Sequence, residues 1–402
     1  MENPKIREVQ ALKRLTWAAC LALLLAGCAT TNQVTVAQYK EPAGKKLPPV
    51  TVFYQQPSES FRRECEEYDR DSLLKHCQLN RLDLGKFASE LSDTGAFEEV
   101  LYANQEVPYQ IRVTTAYYNT EGGDDLASAA FSGATMMIAP MIISADIKVD
   151  ASLYWYEFKL KEFRYDLPIE YRSSLLSMNQ DTASDIARSI ASHILRDIQA
   201  EDIFSAQYLT TALNSSDYQK DLSLPDQAGD YFLQETRTYD NPLYGAYALY
   251  GKDTQETDYM EVFIYPVRAG HWSDNKGTIE TEIQNIKKDA ELFNKENALE
   301  ILTQSETEFV AFPQPAATIT AGEFESDVLD SLSNEYVTRN YLMIMEDKFF
   351  RVRHTALKGA ASSADVQATV AQLVQDSTVP KESLFMARLR KQWRDTQALQ
   401  VP

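Results

Sequence analysis

The chain has 402 residues, 44% hydrophobic and 24% charged, proportions of a globular protein long enough for two or three domains. Its 59 acidic and 39 basic residues give a formal net charge of -20. A surface of that sign repels phosphate and excludes nucleic acid as a partner of the protein as a whole. Four histidines and four cysteines leave little material for metal or thiol chemistry, and no metal and no cofactor are expected.

Lys5, Arg7, Lys13 and Arg14 make a basic start, and an uncharged run follows from Leu15 to Leu25. The run is shorter than the roughly 20 apolar residues that span a bilayer and suits the h-region of a secretory signal. It ends in Leu25-Ala26-Gly27-Cys28. Small residues before a cysteine, directly after an h-region, resemble the lipobox of bacterial lipoproteins. The resemblance implies that residues 1–27 are removed, that Cys28 carries lipid, and that several acyl chains hold the protein stably. Residue 29 is alanine, not the aspartate that marks inner-membrane retention, so the resemblance implies an outer-membrane protein facing the periplasm. The alternative is an uncleaved anchor with a bystander cysteine. Loss of residues 1–27 takes four basic and two acidic residues, so the acidity belongs to the exported body.

With Cys20 in the signal and Cys28 lipidated, Cys65 and Cys77 remain as an even pair. In an oxidising compartment this spacing reads as a structural disulfide. The rival reading is a metal site with His76 as third ligand.

Residues 28–48 are polar, without an apolar period, and read as a flexible tether. A first α+β domain is expected over 49–205. Val50 to Tyr54 is a β-rich run, Lys86 to Leu91 a helix end, and Ile111 to Tyr118 an alternating strand. The clearest strand is 146–157, with Ile147, Val149, Ala151, Leu153 and Trp155 on one face. Ile186, Ile190 and Ile194 recur every four residues and predict a helix over 182–200. Residues 206–228 read as a linker. A second α+β domain is expected over 229–357: a hairpin around Gly251-Lys252-Asp253, an amphipathic helix from Thr278 to Asn297, then strands 340–345 and 349–354. A C-terminal helical segment, 358–402, closes the chain. The fold class is thus α+β, two mostly antiparallel sheets with packed helices.

Leu91 to Val100, followed by Tyr109-Gln110-Ile111-Arg112-Val113, is similar to the helix, small turn and Phe-x-x-Val strand of small periplasmic lipoprotein domains, such as the transport-auxiliary lipoproteins and TolB amino-terminal domains. Met136-Met137-Ile138-Ala139-Pro140 before a long strand adds to the likeness. The second unit resembles the PsbP/Mog1-like α-β-α sandwich in its element order, down to Lys348-Phe349-Phe350-Arg351-Val352-Arg353. Both resemblances imply binding or assembly and transfer no catalytic residues; fold alone does not assign function.

No Gly-x-Ser-x-Gly, His-Glu-x-x-His or phosphate-loop pattern is present; Gly245 to Gly251-Lys252-Asp253 has the wrong spacing. His76, His193, His271 and His354 are scattered without ligand neighbours, so the chain reads as a binding protein and not an enzyme. Three features are candidates for contact. The stretch 126–145 carries no charge; it reads as a buried or interface segment around Met136, Met137, Ile138 and Pro140, with membrane insertion as the alternative. Seven tyrosines between Tyr231 and Tyr265 read either as ordinary β residues or as a face for stacking on sugars. The last helix sets Phe385, Leu389 and Trp393 among basic residues; it either docks on lipid or a partner, or packs back on its own body. The expected function is that of an accessory or assembly factor of a cell-envelope complex, bound to an envelope protein. A binder of small apolar or glycan ligands is the alternative, and an envelope enzyme the second alternative.

Overall fold

The computed structural model describes residues 33–40, 44–71, 75–119, 141–173, 182–252, 255–272, 274–296, 299–313 and 318–400. The chain divides between Ile203 and Phe204 into two compact units, each an α+β assembly on its own sheet.

The sheet of unit 1 is built on a long hairpin. Strand β6 (Met141–Trp155) turns at Tyr156-Glu157 into β7 (Phe158–Ser173), and β5 (Tyr109–Asn119) pairs with the other edge of β6. Next to β5 lie β2 (Val50–Tyr54), in parallel, and then β4 (Val100–Tyr102), while β3 (Cys77–Leu79) takes the far end of β5 antiparallel. Alternation decides the core face: Ile147, Val149, Ala151, Leu153 and Trp155 are all buried. Among the described residues three helices belong to the unit: α1 (Glu59–Asp71), α2 (Leu84–Asp93) and α3 (Thr182–Ala200). The Asp83 carboxylate accepts the Lys86 N–H and caps α2. Phe87 and Leu91 of α2 and Ile190, Ile194 and Leu195 of α3 are buried.

The expected tether is corrected here. Gln33–Val34 forms β1, paired antiparallel with Glu170 and Ile169 of β7. Beyond it the Ala37 N–H donates to Ser192 Oγ at 2.9 Å and the Lys40 N–H to Gln199 Oε1 at 2.8 Å. Short polar side chains on α3 thus satisfy an extended backbone that has no apolar period to announce it.

Unit 2 carries a nine-stranded antiparallel sheet: β8 (Gln227–Ala228), β9 (Tyr231–Thr238), β10 (Ala246–Lys252), β11 (Gln255–Pro266), β12 (Glu300–Gln304), β13 (Glu308–Pro313), β14 (Thr318–Leu329), β15 (Glu335–Met345) and β16 (Lys348–Leu357). The spatial order is β12-β14-β15-β16-β11-β10-β9-β8, with β13 also on β14. Residues 206–228 are not a linker. They hold α4 (Ala206–Leu213), α5 (Tyr218–Asp221) and β8, because Leu209, Leu213 and Tyr218 are buried and Ser205 and Asp217 cap the two helices. One sheet face packs Met260, Val262, Ile264, Phe350 and Val352 against Val366, Val370 and Leu373 of α7 (Ser363–Asp376). The other face packs Val267, Phe324, Leu342 and Phe349 against α6 (Asn275–Glu296). The final helix, α8 (Leu384–Gln400), is pinned to unit 2 by Arg390. Its guanidinium meets Asp347 Oδ2 at 2.9 Å, donates to the Val267 carbonyl at 3.0 Å, and pairs with Glu382. Among the described residues no helix is long and apolar enough to cross a membrane.

Candidate functional site

The site begins with how α6 docks. Ile279, Ile283 and Ile286 sink into the sheet face, each contributing about 1.5–3 kcal/mol by burial. Gly322 of β14 lets them in: a Cβ there would stand 2.6 Å from Ile283 Cδ1 and 2.8 Å from Ile279 Cγ2. After Ile286 the docking stops. Ala290, Phe293 and Asn294 continue over β14, β15, β16 and β11 at a distance, and a cleft of about 630 Å³ opens beneath them. Leu299 and Ile301 close one side and Phe324 and Val328 of β14 form part of the floor.

Strand register fixes the order of residues along this floor. Arg351 pairs with Leu342, Arg353 with Asn340 and Thr355 with Thr338, while on β14 Phe324 faces Asn340 and Val328 faces Tyr336. Leu342 belongs to the core under the docked half of α6, so Arg351 stands at the inner end of the cleft and Tyr336 at the outer end.

The two arginines differ in charge balance. Arg353 forms a salt bridge with Glu261, whose other oxygen accepts the Tyr247 hydroxyl at 3.4 Å. Arg351 donates through Nε and Nη2 to one neutral acceptor, Asn340 Oδ1, at 3.2 and 2.8 Å, and lies 5.2 Å from the centre of the Phe263 ring. Among the described residues it makes no salt bridge. Burial, and then the neighbouring Arg353, pull its guanidinium down to about 10, so it stays charged at neutral pH. Asp289 and Asp330 stand among the lining residues. The cleft therefore sets the apolar side chains of its roof and side wall against a guanidinium at its inner end that makes no direct salt bridge among the described residues, with Glu261 and Glu282 acting on it from farther off.

On the opposite sheet face lies a second polar group. Asp258 Oδ1 accepts the Tyr231 hydroxyl at 2.6 Å and meets His354 Nε2 at 2.9 Å, while Oδ2 accepts Lys252 Nζ at 2.7 Å. Asp258 is 1% exposed and His354 0%, so no substrate reaches them. Burial lowers the His354 imidazole below its ordinary value against the pull of Asp258. Burial works to raise Asp258, but hydrogen bonds from Lys252, Tyr231 and His354 outweigh it and hold the carboxyl below the usual range. This network ties four strands, β9, β10, β11 and β16, together inside the core.

Of the residues singled out in the sequence, Cys28, Met136, Met137, Ile138 and Pro140 lie outside the described residues; of the stretch 126–145, Met141–Ala145 belongs to β6. Cys65 of α1 and Cys77 of β3 form a disulfide with 5.4 Å between their Cα atoms, flanked by Ala116 and Tyr118, and the His76 ring sets Nε2 against Gln78 at 2.9 Å and Nδ1 3.7 Å from the Asp69 carboxylate. Phe385 and Leu389 do not form an open contact face. Both are buried, and Trp393 is half-buried against Gly270 because Arg390 and Arg394 draw α8 onto unit 2. The seven tyrosines do not share one face: Tyr231 and Tyr250 enter the core and Tyr244 is exposed, while Tyr247, Tyr259 and Tyr265 lie on the sheet face of the cleft. His193 is buried with Nδ1 at 2.8 Å from the Ser189 carbonyl.

The cleft itself escaped sequence reading. Its signals were Phe293, at the end of an apolar stripe longer than the docking needs, and Arg351, on a strand face with no carboxylate in register. For Asp258 and His354 the signal was a polar residue continuing the apolar series Met260-Val262-Ile264 and Phe350-Val352.

No protein-family model and no curated protein matches the chain. Solved structures match part of it. A crystal structure from Bacteroides thetaiotaomicron is similar at 11% identity and a TM-score of 0.23, covering 41% of this chain and 50% of that one. The chain thus matches about half the length of that protein. Cyanobacterial PsbP from Synechocystis is similar at 10% identity and a TM-score of 0.26, over 40% of this chain and 92% of that one. The Ran-binding protein Mog1p of Saccharomyces cerevisiae is similar at 13% identity and a TM-score of 0.24, over 40% of this chain and 92% of that one.

Proposed function

We propose that this chain is a bacterial lipoprotein, anchored through Cys28 at the outer membrane, that binds a small and largely apolar ligand on the periplasmic side. The observation that carries the reading is the cleft under α6. Its volume of about 630 Å³ falls within the range of roughly 300–1,000 Å³ common to small-molecule sites. Apolar side chains form its roof and side wall, and arginines, an asparagine and hydroxyls line its floor, groups that orient a ligand. The basic start, the short apolar run and Leu25-Ala26-Gly27-Cys28 support the anchor.

Thermal melting of the full chain with envelope lipid extract tests the binding reading. The expected result is a rise in Tm that Phe293→Asp abolishes; a flat response of the native protein overturns it. Mass spectrometry of the amino-terminal peptide tests the anchor, and an unmodified Cys28 overturns that part. The second reading is an accessory factor of an envelope complex, supported by Leu384 and Trp393, which leave α8 partly uncovered. Crosslinking in intact cells would then recover one defined complex from the native protein and not from Cys28→Ala.

A further inference from the structure

We infer that the cleft of unit 2 is a site for a single-chain amphiphile with one anionic oxygen head, the head held by Arg351 and the chain running outward beneath Phe293. The inference rests on the ligand-binding reading above and assigns its chemistry.

Three observations select this class. First, Arg351 holds its charge next to the closed end of the cleft with a neutral amide as its polar partner. A guanidinium presents five donors, of which Nε and Nη2 are engaged here, and its strongest complement is a carboxylate or phosphate oxygen pair. Glu261, on the same sheet face, is taken by Arg353, and Glu282 of α6, which also acts on Arg351, accepts the Tyr265 hydroxyl at 2.9 Å.

Second, apolar side chains run the length of the cleft, Ile286, Ala290 and Phe293 on the roof and Leu299 and Ile301 on one side, with Asp289 and Asn294 beside them on the helix. A small hydrophilic anion would leave that surface wet, whereas an alkyl chain gains binding free energy with each methylene it buries. The strand register places Arg351 at the inner end and Tyr336 at the outer end, and the apolar roof runs outward from Ile286 to Phe293, which sets the direction of the ligand.

Third, Asp289 and Asp330 also line the cleft. The Asn334 side chain, with backbone N–H groups, holds the exposed Asp330 below the usual carboxylate range, so it is ionised at neutral pH. A ligand with further negative charge along its length would meet these carboxylates, as it would the strongly acidic protein as a whole. One charge at one end is accommodated; a polyanion is not.

The head could come from a fatty acid or from a phosphate monoester lipid, and the experiment separates them. Binding to the full chain is measured by isothermal titration with laurate, dodecyl phosphate, dodecanol and acetate, each below its micelle concentration. Laurate, dodecyl phosphate or both are expected to bind at least about ten-fold more tightly than dodecanol, with acetate showing no binding. Whichever of the two binds more tightly identifies the head. Arg351→Gln is expected to bring the anionic amphiphiles down to the level of dodecanol and to leave dodecanol unchanged. Phe293→Asp, at a half-exposed position, is expected to weaken every chain-bearing probe and serves if Arg351→Gln fails to fold. Equal affinity for laurate, dodecyl phosphate and dodecanol overturns the role of Arg351 and leaves the apolar-ligand reading standing. No binding of any chain-bearing probe overturns both.

Discussion

Ile286 and Phe293 lie two turns apart on the same face of α6, yet Ile286 is 6% exposed and Phe293 55%. The helix carries its apolar stripe past the point where the sheet receives it. Below the docked half, Gly322 admits the isoleucines; below the second half, strands β14 to β16 present Ser326, Thr338 and Asn340 and the helix stays clear.

Truncation at the two positions should therefore cost different amounts. Ile286→Ala removes a buried side chain and is expected to destabilise unit 2 by about 2–5 kcal/mol. Phe293→Ala is expected to change stability by about 0.5 kcal/mol or less, as at other exposed positions. Urea unfolding of each variant checks this, and equal losses would mean that Phe293 is packed and the cleft closed.

Gly322 offers a sharper test. Valine favours strands, and on sequence grounds Gly322→Val would strengthen β14. The Cβ contacts at 2.6 and 2.8 Å reverse the sign, and an overpacking cost of about 1–3 kcal/mol is expected. Trimming the obstacle in Gly322→Val with Ile283→Ala should recover part of the loss in a double-mutant cycle. A stabilised single mutant would show that α6 does not approach so closely.

These elements show what was legible in the chain. The alternation of Ile147 to Trp155 and the stripe of Ile186, Ile190 and Ile194 are periodic signals of one buried face, and both elements stand where the periodicity put them. Strand β7 was passed over although Phe163, Leu167 and Ile169 alternate with charged residues, because Leu160 falls out of phase where the pairing shifts register between Leu153 and Tyr154. Strands β12 to β14 carry no clear periodic signal for a different reason: Thr, Glu and Ser occupy eight of their 23 positions, and their burial comes from α6 and from neighbouring strands far away in sequence. The site shares that origin. Arg351 lacks a direct salt bridge among the described residues because Glu261, on another strand, pairs with Arg353, and no local pattern records which of two arginines a carboxylate will take.

The disulfide gives a prediction confined to unit 1. Cys65 and Cys77 tie α1 to β3, a sequence separation of 12, beside Tyr68 packed edge-on to Tyr118 with centroids 5.0 Å apart. A closed loop of this size contributes about 3 kcal/mol in the chain-entropy account. Cys65→Ala with Cys77→Ala should lower the stability of unit 1 by about that amount. Limited proteolysis with and without reductant checks it; cleavage at unchanged rates around residues 59–79 would remove the bond from the stability of the unit.

The buried network of Asp258 and His354 makes unit 2 sensitive to acid in two steps. His354 is lowered by burial first, then by the positive charge of Arg339 and Lys252, with Asp258 opposing. As pH falls below the ordinary histidine value of about 6.5, the unfolded chain takes up a proton that the folded chain refuses. Stability is then fully present above that value and is lost as pH falls toward the folded value. Asp258 adds a later step of the same sign. Its folded value lies below the ordinary aspartate value of about 3.9, so its contribution holds above that pH and disappears as pH drops through the folded value. In Asp258→Asn the Lys252, Tyr231 and His354 groups lose their ionised acceptor, and a destabilisation of about 3–5 kcal/mol at neutral pH is expected for breaking a buried charged network from one side. In His354→Gln an amide can still donate to Asp258, while the titrating group is gone. Its urea midpoint should therefore stay flat between about pH 7 and 5, where that of the native protein declines. If the decline persists unchanged in His354→Gln, the acid sensitivity arises elsewhere and the network is a hydrogen-bonded staple with no part in it.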